Sequence, residues 1–110
     1  MVIEQPSQNF EELLSSSDLP LLVVFYSPWD GPSHLIDSVL KQVDERMQQQ
    51  LKIVKIDSEK YSDLSSSYQV HALPTLLLFK NGQPVERIEE EHAEVIMSAE
   101  KLIQRLQPLL

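Results

Sequence analysis

Cysteine is absent from this sequence of 110 residues, and only two glycines are present. Without a thiol the chain can form no disulfide, no thiolate nucleophile and no Cys-ligated zinc or iron–sulfur centre. Basic residues are also few, because 9 Lys and Arg stand against 17 Asp and Glu and give a net charge of −8 at pH 7. A field of that sign repels phosphate backbones and anionic lipids, so we expect no nucleic-acid partner and no membrane partner.

Long hydrophobic runs are missing as well. None reaches the roughly 18 residues that a membrane-spanning helix needs, and residues 1–6 lack the basic and apolar regions of a signal peptide. We therefore expect a cytoplasmic protein, or one that works in an organelle stroma. The composition, 42% hydrophobic and 24% charged, is typical of a globular chain, and the length predicts a single domain over residues 1–110.

A continuous apolar run over residues 21–26 predicts a strand that is buried on both faces, because such a run lacks the alternation of a half-exposed strand. Residues 51–56 are predicted to form a second buried strand, and residues 75–80 a third. Asn81-Gly82 then predicts a tight hairpin, since a type I′ turn needs positive φ at both central residues. The return strand is expected over residues 85–89, and Val2 and Ile3 are expected to form a short edge strand.

The helical spacing of other apolar residues predicts four helices, over residues 8–16, 32–49, 59–68 and 93–109. In the second helix, Leu35 and Ile36 begin an inward-facing stripe that continues to Met47. Together with the strands, these helices give the order βαβαβ followed by αββα. This order predicts an α/β fold with a central mixed sheet that helices cover on both faces.

Three short motifs resemble those of one known family. Residues 29–33, between a buried strand and a long helix, resemble the thioredoxin active-site motif Trp-Cys-Gly-Pro-Cys. Residues 72–75 resemble that family's cis-proline loop, and residues 79–82 resemble its hairpin. In this sequence the motifs read Trp29-Asp30-Gly31-Pro32-Ser33, Ala72-Leu73-Pro74-Thr75 and Phe79-Lys80-Asn81-Gly82. The resemblance covers essentially the whole chain and implies a thioredoxin fold.

The resemblance does not extend to the chemistry of the family. Thioredoxins reduce disulfides through the thiolate of their first cysteine, and the second cysteine then resolves the mixed disulfide. Asp30 and Ser33 occupy those two positions here. Because a carboxylate cannot form and release a mixed disulfide, we assign no catalytic residue and predict that the chain is not a disulfide-reducing enzyme.

Other departures from the family agree with a loss of redox chemistry. The position of the family's buried aspartate is Val24, whereas the lysine near that aspartate is kept as Lys55. A valine avoids the cost of burying a carboxylate that no longer has a proton to handle. Glu90 stands where the family has the glycine that lets a bound peptide approach the far strand. We predict structural roles for Val24 and Lys55.

Asp30 is also predicted to have a structural role. The family's first cysteine lies at a helix N-terminus, where unpaired backbone N–H groups favour a negative charge. An aspartate at that position is a favourable N-cap, and Pro32 in the first turn costs nothing because its missing N–H would be unpaired. We expect Asp30 to cap the long helix; a general acid or base is the alternative.

The residues that remain around the former redox site are expected to form a recognition surface. In the family, the backbone before the cis-proline pairs with an extended peptide. The predicted surface consists of Trp29, Gly31, Pro32, Leu73 and Pro74, with Glu90 on its acidic rim. We expect a protein partner that binds through an extended segment carrying Lys or Arg. The alternative is that Trp29 and Pro74 persist only for folding.

These residues predict a redox-inactive thioredoxin-like protein that acts as a protein-binding scaffold or assembly module. One alternative is a thioredoxin-type protein-disulfide oxidoreductase, active in cell redox homeostasis, whose cysteines were altered in this sequence. Another is an enzyme that uses Asp30, His34 and His71, which the fold would bring close together, for acid–base or metal chemistry. Solvated histidines are the favoured interpretation, so we predict neither a metal nor any other cofactor.

Overall fold

The computed structural model describes residues 2–4, 10–16, 18–29, 31–89, 96 and 98–110. The described chain forms five strands and four helices, and a short 3₁₀ turn over Gln107–Leu109 follows the last helix. In chain order they are β1 (Val2–Glu4), α1 (Phe10–Ser16), β2 (Leu21–Tyr26), α2 (Gly31–Met47), β3 (Lys52–Asp57), α3 (Ser62–Ser67), β4 (Thr75–Lys80), β5 (Gln83–Ile88) and α4 (Ala99–Leu106).

The five strands form one mixed sheet in the order β1-β3-β2-β4-β5. β3 lies parallel to both β1 and β2, whereas β4 runs antiparallel to both β2 and β5. This confirms the α/β prediction, and β1 occupies the edge expected for residues 2 and 3. Of the helices that the structure describes, none combines the length and apolarity that a bilayer crossing requires.

Two separate clusters of apolar side chains cover the two faces of the sheet. Leu22 and Val24 of β2 point into a cluster with α2 and α4. Leu21, Val23 and Phe25 of the same strand point the other way, into a cluster with α1 and α3. Because successive side chains of a strand alternate between faces, a strand buried on both must be apolar throughout. The prediction of helices on both faces is therefore confirmed.

The β4–β5 turn has the predicted backbone conformation, but the return strand begins earlier than predicted. Asn81 and Gly82 have φ values of 55° and 79°, so both central residues are in the left-handed region, as a type I′ turn requires. Lys80 then pairs directly with Gln83. The predicted start at residue 85 was therefore two residues late, because a two-residue turn leaves no loop between the strands.

The last helix differs most from its prediction. Ser98 has extended backbone angles (φ −128°, ψ 115°), and its side chain accepts a hydrogen bond from the Lys101 amide at 3.2 Å. A serine in this geometry is an N-cap, so the helix begins at Ala99. The prediction of a single helix over residues 93–109 is therefore wrong, because the backbone is extended at Ser98. Residues 93–95 and 97 lie outside the described chain.

The other helix bounds differ less from the predictions. α2 ends at Met47, two residues earlier than expected. α3 covers only Ser62–Ser67, because the Asp57 carboxylate accepts hydrogen bonds from the amides of Glu59 and Lys60 and forms a turn before the helix. Residues 8 and 9 of the predicted first helix lie outside the described residues.

Candidate functional site

The chain leaves the buried β2 strand at Ser27 and presents an exposed aromatic ring two residues later. The Ser27 hydroxyl is buried and donates a hydrogen bond to Oε1 of Glu59 at 3.3 Å. The same Oγ accepts the backbone N–H of Trp29, also at 3.3 Å. Trp29 itself is 83% exposed. The loop is thus held through its backbone, while the indole ring faces solvent.

α2 starts immediately after this loop, at Gly31. Pro32 is the second residue of the helix, a position where a missing N–H removes no intrahelical hydrogen bond. Gly31, Pro32, Ser33 and His34 therefore contribute the first turn of α2, next in sequence to Trp29. Asp30 lies outside the described residues, so its role as the cap of this helix stays a prediction.

The loop before β4 contains the residues that were predicted to complete the surface. The Leu73–Pro74 peptide bond is cis, and the Thr75 hydroxyl donates a 2.6 Å hydrogen bond to the Ala72 carbonyl. Leu73 is half-buried and packs against the cluster beneath α1 and α3. Pro74 is buried. The predicted exposure of Pro74 is therefore wrong, and of these two residues only Leu73 is partly accessible.

Val24 and Lys55 are neighbours across the β2–β3 pair. Val24 is fully buried, and the Lys55 ammonium reaches the Asp37 carboxylate of α2 at 2.8 Å. The same ammonium lies 4.5 Å from the centroid of the Tyr26 ring. Lys55 thus has a counter-ion on α2, and the strand below the site carries no carboxylate at residue 24.

Sequence reasoning missed Asp37 as the partner of Lys55. A signal was available, because a lysine retained without its usual aspartate needs another counter-ion. Asp37 is the first acidic residue of α2, and α2 follows the strand that pairs with the strand of Lys55. The sequence therefore carries a signal for a counter-ion of Lys55 on α2.

Leu35 was also misassigned. It is 65% exposed, although helical spacing placed it in the inward stripe of α2. The next residue on the same side, Val39, is 7% exposed, whereas Ile36, Leu40 and Val43 are at most 1% exposed. Leu35 therefore lies at the margin of the stripe, where helical spacing alone cannot separate buried from exposed positions. It adds a second exposed apolar side chain near the start of α2.

The remaining candidate residues are not brought together by the described structure. His71 is exposed in the loop before β4. Asp30 and Glu90 lie outside the described residues, and so do the side chains of Ser33 and His34. Within the described part of the chain, no group of three His, Asp or Glu side chains is arranged to hold a metal ion.

This architecture defines the class of protein. A solved chain from work on the thiol-resolving mechanism of yeast mitochondrial 1-Cys peroxiredoxin via glutathione/thioredoxin systems superposes with a TM-score of 0.82, over 97% of this chain and 94% of that chain. The two are 22% identical, so the likeness establishes the thioredoxin fold and nothing more specific.

Comparison of sequences identifies the family. Residues 1–105 match the sequence profile of the thioredoxin family. A thioredoxin-like protein of Synechocystis sp. is 43% identical over 107 residues, which are 97% of both chains. Thioredoxin Y1, chloroplastic, of Arabidopsis thaliana is 39% identical over 97% of this chain, which spans 59% of that relative. The chain therefore belongs to the thioredoxin family.

Proposed function

We propose that this chain is a redox-inactive member of the thioredoxin family that binds a protein partner through Trp29, as a scaffold, assembly factor or subunit of a complex. The observation that carries the proposal is the exposure of Trp29, 83%, on a loop whose backbone is fixed by Ser27. A large aromatic side chain in water on an ordered backbone is a favourable binding anchor, because little conformational freedom is lost on association.

The chemistry of the site supports a non-catalytic role. The positions of the family's two cysteines are Asp30 and Ser33, and no thiol exists elsewhere in the sequence. Beneath the site, Val24 is fully buried, and the Lys55 ammonium is paired with Asp37. The pair of groups that in the family serves proton transfer to a cysteine is therefore replaced by an aliphatic contact and a structural ion pair.

The partner is proposed to present an extended segment that carries Lys or Arg. The chain has a net charge of −8, and the exposed Glu59 is joined to the Trp29 amide through Ser27. Asp30 and Glu90 would add further negative charge to the rim. A cation placed against an indole ring and a nearby carboxylate gains from both. Raising the ionic strength from low to physiological values should therefore weaken the complex.

A comparison of three proteins tests this proposal: wild type, Trp29→Ala and Val85→Ala. Val85 is an apolar residue of β5 that is also exposed, 44%, and it serves as the matched control. A partner is captured from native extract by wild type, identified and purified, and its Kd is then measured for all three. We expect Trp29→Ala to weaken binding by about 30-fold, the size of a hot-spot truncation, and Val85→Ala to have no effect. Equal affinities for all three would contradict the proposal.

A second candidate function is favoured by the relatives themselves. Thioredoxin Y1 of Arabidopsis thaliana and thioredoxin Y of Oryza sativa are each 39% identical to this chain. Under this alternative the chain is an oxidoreductase whose cysteines were altered. The double variant Asp30→Cys/Ser33→Cys separates the two candidates in an insulin-reduction assay. Strong activity supports the alternative, whereas we expect little, because Val24 and Glu90 still replace residues that the family uses.

We further propose that the protein works in the cytosol or in an organelle stroma. This proposal is supported by the names of the relatives, which include chloroplastic thioredoxins of Arabidopsis thaliana and Oryza sativa. Fractionation of native cells with an antibody against the chain tests this location. Recovery in the soluble cytosolic or stromal fraction is expected, and recovery with membranes would contradict it.

A further inference from the structure

A cavity of ≈ 570 Å³ lies between α1 and the β4–β5 turn, and none of its lining residues belongs to the candidate surface around Trp29. The volume falls within the range of sites that bind small organic groups. The cavity is lined by Glu11, Leu14, Ser15, Tyr68, Asn81 and Gly82.

Tyr68 is the aromatic residue among those that line the cavity. The Tyr68 ring packs edge-on against Phe10 and Phe79, with centroid distances of 5.9 Å and 5.4 Å. The carbonyl of Tyr68 accepts a hydrogen bond from Nη1 of Arg87 at 2.8 Å. Both the ring and its backbone are therefore held in place before any ligand arrives. The face of such a ring attracts positive charge.

Glu11 supplies the one formal charge among the lining residues. Within the described chain its carboxylate takes part in no ion pair and no side-chain hydrogen bond. The carboxylate lies close enough to Tyr68 that its charge helps to raise the pKa of that phenol, after the larger effect of burial. The cavity thus has next to each other an aromatic residue and a carboxylate without an ion-pair partner in the described part of the chain.

The other polar groups of the cavity are compatible with a hydrogen-bond donor. The Ser15 hydroxyl donates to the Glu12 carbonyl, so its oxygen lone pairs remain available to accept. The Asn81 side chain offers a further acceptor, and its backbone is fixed by the tight turn. A ligand with several N–H groups and a positive charge would satisfy all of these acceptors.

A second cavity, of ≈ 380 Å³, is also lined by Tyr68 and provides a contrast. Its lining includes the Arg87 guanidinium, which donates to the carbonyls of Tyr68 and Gln69 and pairs with Glu89. This second cavity is lined by a cation, Arg87, and an anion, Glu86, and both already have partners. Of these two cavities, only the first is lined by an anion that has no ion-pair partner among the described residues.

We propose that the cavity beside Glu11 binds an organic cation, an alkylammonium or guanidinium group, with the Glu11 carboxylate as counter-ion and the Tyr68 ring as the aromatic wall. The site is independent of the proposed function, because it shares no residue with the Trp29 surface. A compact guanidinium would occupy part of the cavity and leave room for the alkyl chain that carries it, next to Leu14.

The test is an NMR titration of the ¹⁵N-labelled chain with agmatine at low ionic strength, followed at the amides of Asn81 and Gly82. Glu11→Gln removes the charge that lines the cavity. Glu12→Gln is the matched control, since Glu12 is the adjacent exposed carboxylate in the first turn of α1 and does not line the cavity. We expect saturable shifts for wild type and Glu12→Gln with similar Kd, and a Kd about fivefold higher for Glu11→Gln.

Two further ligands identify the source of the cation. N-acetyl-Gly-Arg-Gly-amide presents a guanidinium on a peptide, and the same peptide with citrulline is its uncharged counterpart. Tighter binding of the arginine peptide than of agmatine points to a polypeptide side chain, and the reverse points to a free small cation; either result supports the proposal. Equal weakening by Glu11→Gln and Glu12→Gln, an equal response to the citrulline peptide, or no shifts at Asn81 and Gly82 would overturn it.

Discussion

Trp29 and Tyr68 are aromatic residues that both reach the surface, but the protein holds them in opposite ways. Trp29 is 83% exposed, and the hydrogen bond that fixes it comes from its backbone amide. Tyr68 packs its ring on Phe10, Phe25 and Phe79, and Arg87 binds its carbonyl. The difference indicates that the Tyr68 side chain contributes to folding stability, whereas the Trp29 side chain is available for a partner.

The largest expected difference between the two regions is in stability. Tyr68→Ala should lower the free energy of unfolding by about 2 kcal/mol, because it removes ring contacts from the cluster beneath α1 and α3. Trp29→Ala should change it by less than about 0.5 kcal/mol, since an exposed side chain loses little on truncation. Urea denaturation of both variants measures these values. Tyr68→Phe, which keeps the ring, is the control and should be close to wild type.

A smaller effect is expected at the arginine that holds the Tyr68 backbone. Arg87→Met removes the hydrogen bonds to the carbonyls of Tyr68 and Gln69, so we expect a loss of about 1 kcal/mol. Arg105→Met is a matched control, because both arginine side chains are 34% exposed but Arg105, among the described residues, pairs only with Glu86. Amide hydrogen exchange should rise at residues 69–72 in Arg87→Met alone. Equal exchange in both variants would show that Arg87 does not order this loop.

The smallest effect concerns alkaline pH. Burial, and then the Glu11 carboxylate, raise the pKa of Tyr68 above its usual value of 10.0. The folded protein therefore favours the neutral phenol more than the unfolded chain does. This contribution to stability is complete below about pH 10 and is lost as pH rises through the higher folded pKa. Tyr68→Phe should accordingly lose less stability than wild type between pH 9 and 11, as measured by chemical denaturation. If the free energies of unfolding of wild type and Tyr68→Phe change in parallel between pH 9 and 11, the raised pKa of Tyr68 is contradicted.

The central sheet was predictable because its physical signal is local. The strands Leu21–Tyr26 and Thr75–Lys80 have the predicted bounds, since each is mostly apolar and the first five residues of each are buried. The turn at Asn81 and Gly82 was equally clear, because few residues accept positive φ at two successive positions.

What the sequence could not reveal depends on tertiary contacts or on competing local signals. Apolar spacing continues past Ser98, so it conceals the N-cap that starts α4 there. The burial of Pro74 depends on how its loop packs, and the ion pair of Lys55 with Asp37 joins residues on different elements. The exposure of Trp29 was implied by resemblance to the family, whereas the role of Ser27 in fixing its amide was not.

The central claim is that a member of the thioredoxin family without cysteine works by binding through Trp29. Because Trp29 is the single tryptophan of the chain, 5-fluorotryptophan labelling gives one ¹⁹F NMR signal from that side chain. In native extract this signal should broaden or shift relative to buffer. Excess unlabelled wild type should restore the free signal, and excess unlabelled Trp29→Ala should not. A signal identical in buffer and extract, or one restored equally by both competitors, would contradict the account.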